Sequence, residues 1–198
     1  MVQNDIVKQA IVLAADAHAD QKYGGFPYTY HLARVADQLK LWGFSEDEYP
    51  KMHAMAWLHD TLEDTAISEE QIYEIDMFVC DGVEMLTDPM ALNRKERKRL
   101  LNDKFLMAHH DSTVVNQSAV VKCSDRVCNM RMAIQTDDVS KMEMYVAEHP
   151  EFMRCIAVCI LRDAYPQAPK IWGDLFGLYA SACRNTHPDY RKFIGSDG

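Results

Sequence analysis

Apolar positions recur at helical spacing along most of the chain, and no stretch shows the two-residue alternation of a half-buried strand. Ile6, Ala10, Leu13, Ala14 and Ala17 predict an amphipathic helix over 5–20, with Asn4 or Asp5 able to cap its start. Tyr23-Gly24-Gly25-Phe26-Pro27-Tyr28 reads as a turn. A second helix opens at His31 and stops at Gly43, and a third spans 46–62 with Pro50 tolerable in its first turn. Ser68-Glu69-Glu70-Gln71 has the form of a capping box before a short helix over 69–76. The next helix covers 77–87, until Thr87-Asp88-Pro89 breaks it. On a helix over 113–134, Val120, Val127 and Ile134 face the core, while Lys122, Asp125, Asn129 and Met132 line a second stripe suited to a pocket. Pro150 is expected to separate helices over 138–148 and 151–164, and a last amphipathic helix covers 170–184. Met142, Met144, Tyr145, Trp172 and Phe176 are assigned to the core, and the tail from Asn185 is expected to be loosely ordered. The pattern predicts an all-α bundle of helices.

Composition narrows the class. With 198 residues the chain is long enough for one domain with a sizeable core, and its 48% hydrophobic and 26% charged content is ordinary for a globular protein. The net charge of −9 disfavours nucleic acid and anionic membranes, which reward basic surfaces. A small phosphorylated ligand stays possible, because a metal ion can supply local positive charge. Cys80, Cys123, Cys128, Cys155, Cys159 and Cys183 form no C-x-x-C pair, and Cys155 and Cys159 read as small buried hydrophobes. No apolar run approaches the length of a membrane helix, and Asp5 stands where a signal peptide would carry positive charge. A cytoplasmic protein with reduced thiols is the expectation.

The chemistry concentrates in Trp57-Leu58-His59-Asp60-Thr61-Leu62-Glu63-Asp64-Thr65. Imidazole and carboxylate are the ligands that first-row divalent metals accept. On a continuous helix, Asp60, Glu63 and Asp64 would share one face. Directly after the apolar run Ala54-Met55-Ala56-Trp57-Leu58, such groups are costly to bury unless a cation pairs with them. Arg94-Lys95-Glu96-Arg97-Lys98-Arg99 is a basic cluster against the global charge, which suggests an anionic ligand.

Three ordered motifs carry a resemblance. Gly25-Phe26-Pro27-Tyr28 with His31 resembles G-x-P-Y-x-x-H, and Leu58 to Thr65 resembles L-H-D-x-x-E-D-T. Val121-Lys122-Cys123-Ser124-Asp125-Arg126 with Asn129-Met130-Arg131 resembles V-K-x-[AS]-D-R-x-x-N-M-R. Together they are similar to the HD superfamily of metal-dependent phosphohydrolases, and within it to the hydrolase domain of RelA/SpoT proteins and their small stand-alone relatives. The likeness runs over about residues 5–150, with 151–184 read as accessory helices and 185–198 as a tail of one 1–198 hydrolase domain.

The resemblance implies an HD-type helical bundle of roughly eight to ten helices. It implies one divalent metal, usually Mn²⁺, held by His31, His59, Asp60 and Asp125, with Glu63 and Asp64 orienting and deprotonating the attacking water. The implied reaction removes pyrophosphate from the 3′ position of guanosine tetra- or pentaphosphate. Lys22, Tyr28, Lys95, Arg97, Lys98, Lys122 and Asn129 are the implied substrate contacts. No synthetase domain fits in this length, so the expectation is degradation only.

Two departures stand out. The family's Q-x-R-K is here Gln21-Lys22-Tyr23-Gly24-Gly25, one residue shorter, and Met132 stands where a threonine hydroxyl is often found. Both weaken the expected guanine specificity. They keep open a hydrolase of another 3′-phosphorylated nucleotide or a dinucleotide cofactor. A catalytically silent nucleotide- or protein-binding module is the third reading.

Overall fold

The computed structural model describes residues 3–108, 112–160 and 165–187. Helices α1 (Gln3–Ala17), α2 (Thr29–Trp42) and α3 (Pro50–Leu58) come first, with a hairpin of β1 (Lys22–Tyr23) and β2 (Phe26–Pro27) between α1 and α2. Then follow α4 (Thr61–Asp64), α5 (Glu69–Tyr73), α6 (Met77–Leu86), α7 (Arg94–Met107) and α8 (Thr113–Gln135). Last are α9 (Val139–Cys155), a 3₁₀ turn (Ala157–Cys159) and α10 (Ala168–Thr186). The all-α expectation is met. None of these helices is long and apolar enough to cross a membrane.

Local sequence accounts for the helix ends. Asp76, Asn93 and Asp138 each accept a backbone N–H from the first turn of α6, α7 and α9. Gly43 ends α2 at φ +102°, and its N–H reaches back to Leu39 and Lys40 carbonyls. Gln71 Oε1 accepts the Ser68 N–H at 3.0 Å, one arm of the expected capping box.

Helix α3 is apolar nearly all round, and Met52, His53, Ala54, Met55, Ala56 and Leu58 are all buried. Such a helix belongs in the middle of a bundle. It packs against α1, α2, α6 and α8. Helix α8 is the second central element, touching α2, α6, α9 and α10. The Ser124 hydroxyl donates to the Val35 carbonyl at 2.8 Å, so a small residue there lets α8 approach α2 closely. A second apolar cluster, with Met130, Ala133, Met142, Tyr145 and Ala182, lies between the end of α8 and helices α9 and α10. Asp174 on α10 accepts from Trp42, Gln38 and Arg131, which ties α10 to α2 and α8.

Several expectations need correction. The helix predicted over 46–62 ends at Leu58, and Thr61 opens a separate turn. Asp60 between them sits at φ −105° and ψ −1°, and the Thr61 hydroxyl donates to the Leu58 carbonyl at 2.6 Å. A side-chain hydroxyl competing for the last carbonyls stops the first helix. At Pro150 the opposite happens, and α9 runs through it to Cys155. Proline's fixed φ is helical, so one lost N–H bond is outweighed by the packing of Tyr145, His149 and Phe152 on either side. The remainder of the helix expected over 151–164 is a 3₁₀ turn, and 161–164 lie outside the described residues. Helix α10 extends through Thr186, past the expected start of a loose tail, and the tail from residue 188 lies outside the described residues. Phe176, expected in the core, is 55% exposed. The two-residue strands were not anticipated, because the turn composition around Gly24-Gly25 carries no alternation. Cys155 and Cys159 are fully buried free thiols, as expected.

His149 lies between α9 and α10, buried and stacked on Tyr179 at 4.2 Å. Among the described residues neither of its ring nitrogens has a hydrogen-bond partner. Burial, and then the Arg126 charge, push its pKa down to about 4. A histidine depressed in the folded state stabilises above its ordinary value of 6.5, and that gain is lost as pH falls through 6.5 towards 4. His149→Phe keeps an aromatic ring on Tyr179 and removes the proton site. The variant should therefore lose less denaturant stability than the wild type between those pH values; parallel pH curves would refute this.

Candidate active site

Four polar side chains converge where the central helices meet the hairpin. His31 comes from the first turn of α2, His59 and Asp60 from the end of α3, and Asp125 from the middle of α8. His31 Nε2 lies 3.2 Å from Asp125 Oδ1 and 3.7 Å from Asp60 Oδ2. His59 Nε2 lies 2.9 Å from Asp60 Oδ2 and 3.7 Å from Asp125 Oδ1. Ligand atoms of His31, His59 and Asp125 fall within 4.8 Å of one another, a spacing that could hold a metal ion, and Asp60 Oδ2 lies against both imidazoles.

The donor chemistry fits a cation. His59 Nδ1 is 2.9 Å from the Ala56 carbonyl, so in the neutral ring Nδ1 carries the hydrogen and Nε2 presents a lone pair to the carboxylates. Lone pairs facing carboxylate oxygens repel unless positive charge lies between them. A proton or a metal ion can take that role. Burial alone would lower the His59 pKa, but Asp60 and Asp125 push it up to about 10. Burial would raise the Asp60 and Asp125 carboxyls, yet the two imidazoles hold both well below the usual carboxylate range. A divalent ion answers the same imbalance with more charge, and two imidazoles with two carboxylates are a donor set such ions accept.

Each carboxylate has a support. The Tyr28 hydroxyl donates to Asp60 Oδ2 at 2.6 Å, and Asn129 Nδ2 donates to Asp125 Oδ1 at 2.5 Å. Behind Tyr28, His18 stacks at 4.6 Å and shares a 2.8 Å hydrogen bond with Gln21, which donates to the Asp64 carbonyl. His18 and Gln21 thereby brace the turn that carries the acidic pair. Burial raises the pKa of Glu63 and Asp64, with Asp88 or Asp60 nearby adding to it. Glu63 Oε1 accepts the Asp88 N–H at 2.5 Å.

The site opens on a cavity of about 970 Å³ walled by α7, α8 and α9. Tyr28, His31, Asp60, Glu63, Lys95 and Lys98 line it, together with Lys122, Asp125 and Asn129. Lys98 is held by Asp88 at 2.6 Å, and buried Lys122 donates to the Leu86 carbonyl at the end of α6. Two expected contacts are not in the wall. Arg97 lies on the exposed side of α7. Lys22 precedes Tyr23 on β1, and alternation turns its side chain away from the face that carries Tyr23 into the cavity. Met132 also stays out of the cavity and lies 4.0 Å from the position a Gly24 Cβ would take, under the hairpin.

Arg94, from the basic cluster, and Arg126, given no role in the sequence, also line the wall. Arg94 and Arg126 both pair with Glu148 at 2.9 Å, and the Arg126 guanidinium lies over the rings of Tyr145 and Phe152. Arg126 lay in plain view inside the third motif. Tyr145, assigned to the core, is buried and also lines the cavity.

Comparison with known proteins places this geometry. No protein-family model matches the chain. The chain superposes on a metazoan SpoT ortholog, described as hydrolysing ppGpp, with TM-score 0.59 and 22% identity over 94% of both chains. The chain shares that protein's all-α fold. The resemblance read from the three motifs is borne out in curated relatives as well. A GTP pyrophosphokinase of Myxococcus xanthus is 33% identical over 139 residues, covering 64% of this chain and 17% of the relative. A probable guanosine-3′,5′-bis(diphosphate) 3′-pyrophosphohydrolase of Synechocystis sp. is 33% identical over 132 residues, covering 64% of this chain and 16% of the relative. The guanosine-3′,5′-bis(diphosphate) 3′-pyrophosphohydrolase MESH1 of Danio rerio is 28% identical over 130 residues, covering 64% of this chain and 68% of the relative. The chain thus spans about a sixth of the first two relatives and about two thirds of the third.

A cation bound among His31, His59, Asp60 and Asp125 would stabilise the folded state alone, because the four groups are not assembled in the unfolded chain. Mn²⁺ at about 100 times its Kd should therefore add about 2.7 kcal/mol. Melting temperature should rise with Mn²⁺, fall back with a chelator, and not respond to Mn²⁺ in His59→Ala. An unchanged response in that variant would place the ion elsewhere.

Proposed function

We propose that the chain is a metal-dependent phosphohydrolase acting on guanosine 3′,5′-bis(diphosphate), releasing pyrophosphate from the 3′ position. The observation that carries this reading is the convergence of His31, His59, Asp60 and Asp125 beside a cavity that Arg94, Arg99 and Arg126 also line. A ligand with anionic groups at two ends meets a cation site at one and guanidinium groups at the other. The names of the relatives support the same substrate.

In this reading His31, His59, Asp60 and Asp125 hold one divalent ion, Mn²⁺ by family likeness. The bound ion supplies positive charge to the phosphoryl oxygens and acidifies water. Glu63, with its pKa raised, takes a proton from the attacking water, and Asp64 orients that water. Water adds to the phosphorus attached to the ribose 3′ oxygen as the bond between them breaks. The 3′ oxygen leaves with a proton as a hydroxyl, and pyrophosphate departs. Lys122 offsets negative charge among Asp125, Glu63 and Asp88. Lys95, Lys98 and the arginines of the cavity wall face the distal phosphates.

Another 3′-phosphorylated nucleotide or a dinucleotide cofactor is the second reading. Lys22 and Met132, the positions nearest an expected guanine site, both lie off the cavity wall, which supports it. Purified protein with Mn²⁺ should release pyrophosphate from guanosine tetraphosphate. Glu63→Gln should lower kcat by about 10²–10⁴-fold while keeping Mn²⁺-dependent stabilisation. Turnover of a different 3′-phosphorylated nucleotide alone would favour the second reading. Bound nucleotide with no turnover would indicate a silent module.

A further inference from the structure

Tyr23 occupies the place where the sequence likeness expects a cation for the nucleotide, and the structure gives it another task. The hairpin turns through Gly24 at φ +56° and Gly25 at φ +88°, a pair of positive values suited to a two-residue turn of the strands. That turn lays the Tyr23 ring over the His31 imidazole, with centroids 4.6 Å apart and planes at 23°. The Tyr23 hydroxyl donates to Asn129 Oδ1 at 2.8 Å, and Asn129 Nδ2 donates to Asp125 Oδ1 at 2.5 Å.

The polarity of this chain of bonds is fixed. An ionised Asp125 can only accept, so the amide nitrogen of Asn129 must face it. The amide oxygen then faces Tyr23, whose hydroxyl must donate. The Asp125 oxygen so held is the one 3.2 Å from His31 Nε2. One side chain therefore touches His31 with its ring and reaches Asp125 through Asn129. Met132 packs beneath the same hairpin and helps to seat it.

We propose that Tyr23 is a positioning residue of the metal centre: its ring braces His31, and its hydroxyl, through Asn129, sets the orientation of Asp125. Asn129, expected to contact the substrate, is here first the link between Tyr23 and Asp125. The inference rests on the metal-dependent reading above, and it is tested without substrate. Loss of such a supporting hydrogen bond typically weakens metal affinity by about 10–100-fold.

The experiment titrates the metal-free full chain with Mn²⁺ alone, by calorimetry. Tyr23→Phe keeps the ring and removes the hydroxyl, and its Kd should rise about 10–100-fold. Asn129→Ala should show a loss of similar size. The double variant should lose no more than the larger single loss, because both break one relay. Tyr23→Leu, which also removes the stacked ring, should bind more weakly than Tyr23→Phe. Wild-type affinity in Tyr23→Phe, or fully additive losses in the double variant, would overturn the positioning role and leave the hydrolase reading standing. A wild-type chain that takes up no Mn²⁺ would overturn both.

Discussion

The constraint on which the rest depends is the charge balance among His31, His59, Asp60 and Asp125. Burying an ionised carboxylate costs on the order of several kcal/mol, and two of them side by side repel as well. The cluster persists because each acid faces an imidazole and accepts a hydrogen bond from a neutral neighbour, Tyr28 or Asn129. Lys122 adds a buried positive charge nearby, which burial alone would discharge and which Asp125 and Glu63 keep protonated. Positive charge at the shared point completes the arrangement. The fold serves that point: α3 is an apolar rod whose last turn delivers His59, and α8 is a second rod that delivers Asp125 from its middle.

The same arrangement explains why Glu63 and Asp64 stand apart from the four-residue cluster. Were 50–64 one helix, Asp60, Glu63 and Asp64 would crowd a single face. The break at Asp60 gives the two halves different directions. The first half keeps Asp60 against His59 and Tyr28, while the second carries Glu63 to the Asp88 N–H. Lys98 fixes Asp88, so a residue first read as a phosphate contact also shapes the loop that holds Glu63. A positive side chain in a pocket wall need not be spare charge.

Legibility in the sequence followed the range of the interactions. Helix periodicity and the glycine stop at Gly43 are local, and the helices they predict over 5–20, 31–43 and 113–134 are present. The residues of the candidate centre were legible because motif spacing carried them, and they meet in space. What failed depends on competition between local rules. Pro150 argued for a break that packing on both sides overrode, and Thr61 stopped a helix whose apolar pattern ran on. Lys22 was read without its strand, so the alternation that turns it away from the cavity was invisible. Tyr23 was read as a missing cation, because the bond from its hydroxyl to Asn129 joins residues 106 positions apart.

Arg126 shows how far a motif residue's meaning depends on its neighbours. A guanidinium 7% exposed needs both charge partners and packing. Glu148 takes one nitrogen, and the faces of Tyr145 and Phe152 lie against the group at 4.8 and 4.6 Å from its centre. Glu148 is shared with Arg94, so one carboxylate serves two guanidinium groups and the local sum stays positive. Among the described residues the other terminal nitrogen of Arg126 is buried without a hydrogen-bond partner. The cavity lining therefore joins the acids Asp60 and Asp125 with the guanidinium groups of Arg94 and Arg126. For the substrate proposed above, Arg94 and Arg126 would draw phosphates towards the guanidinium groups, and a phosphate beside Asp60 and Asp125 would need a cation to receive it.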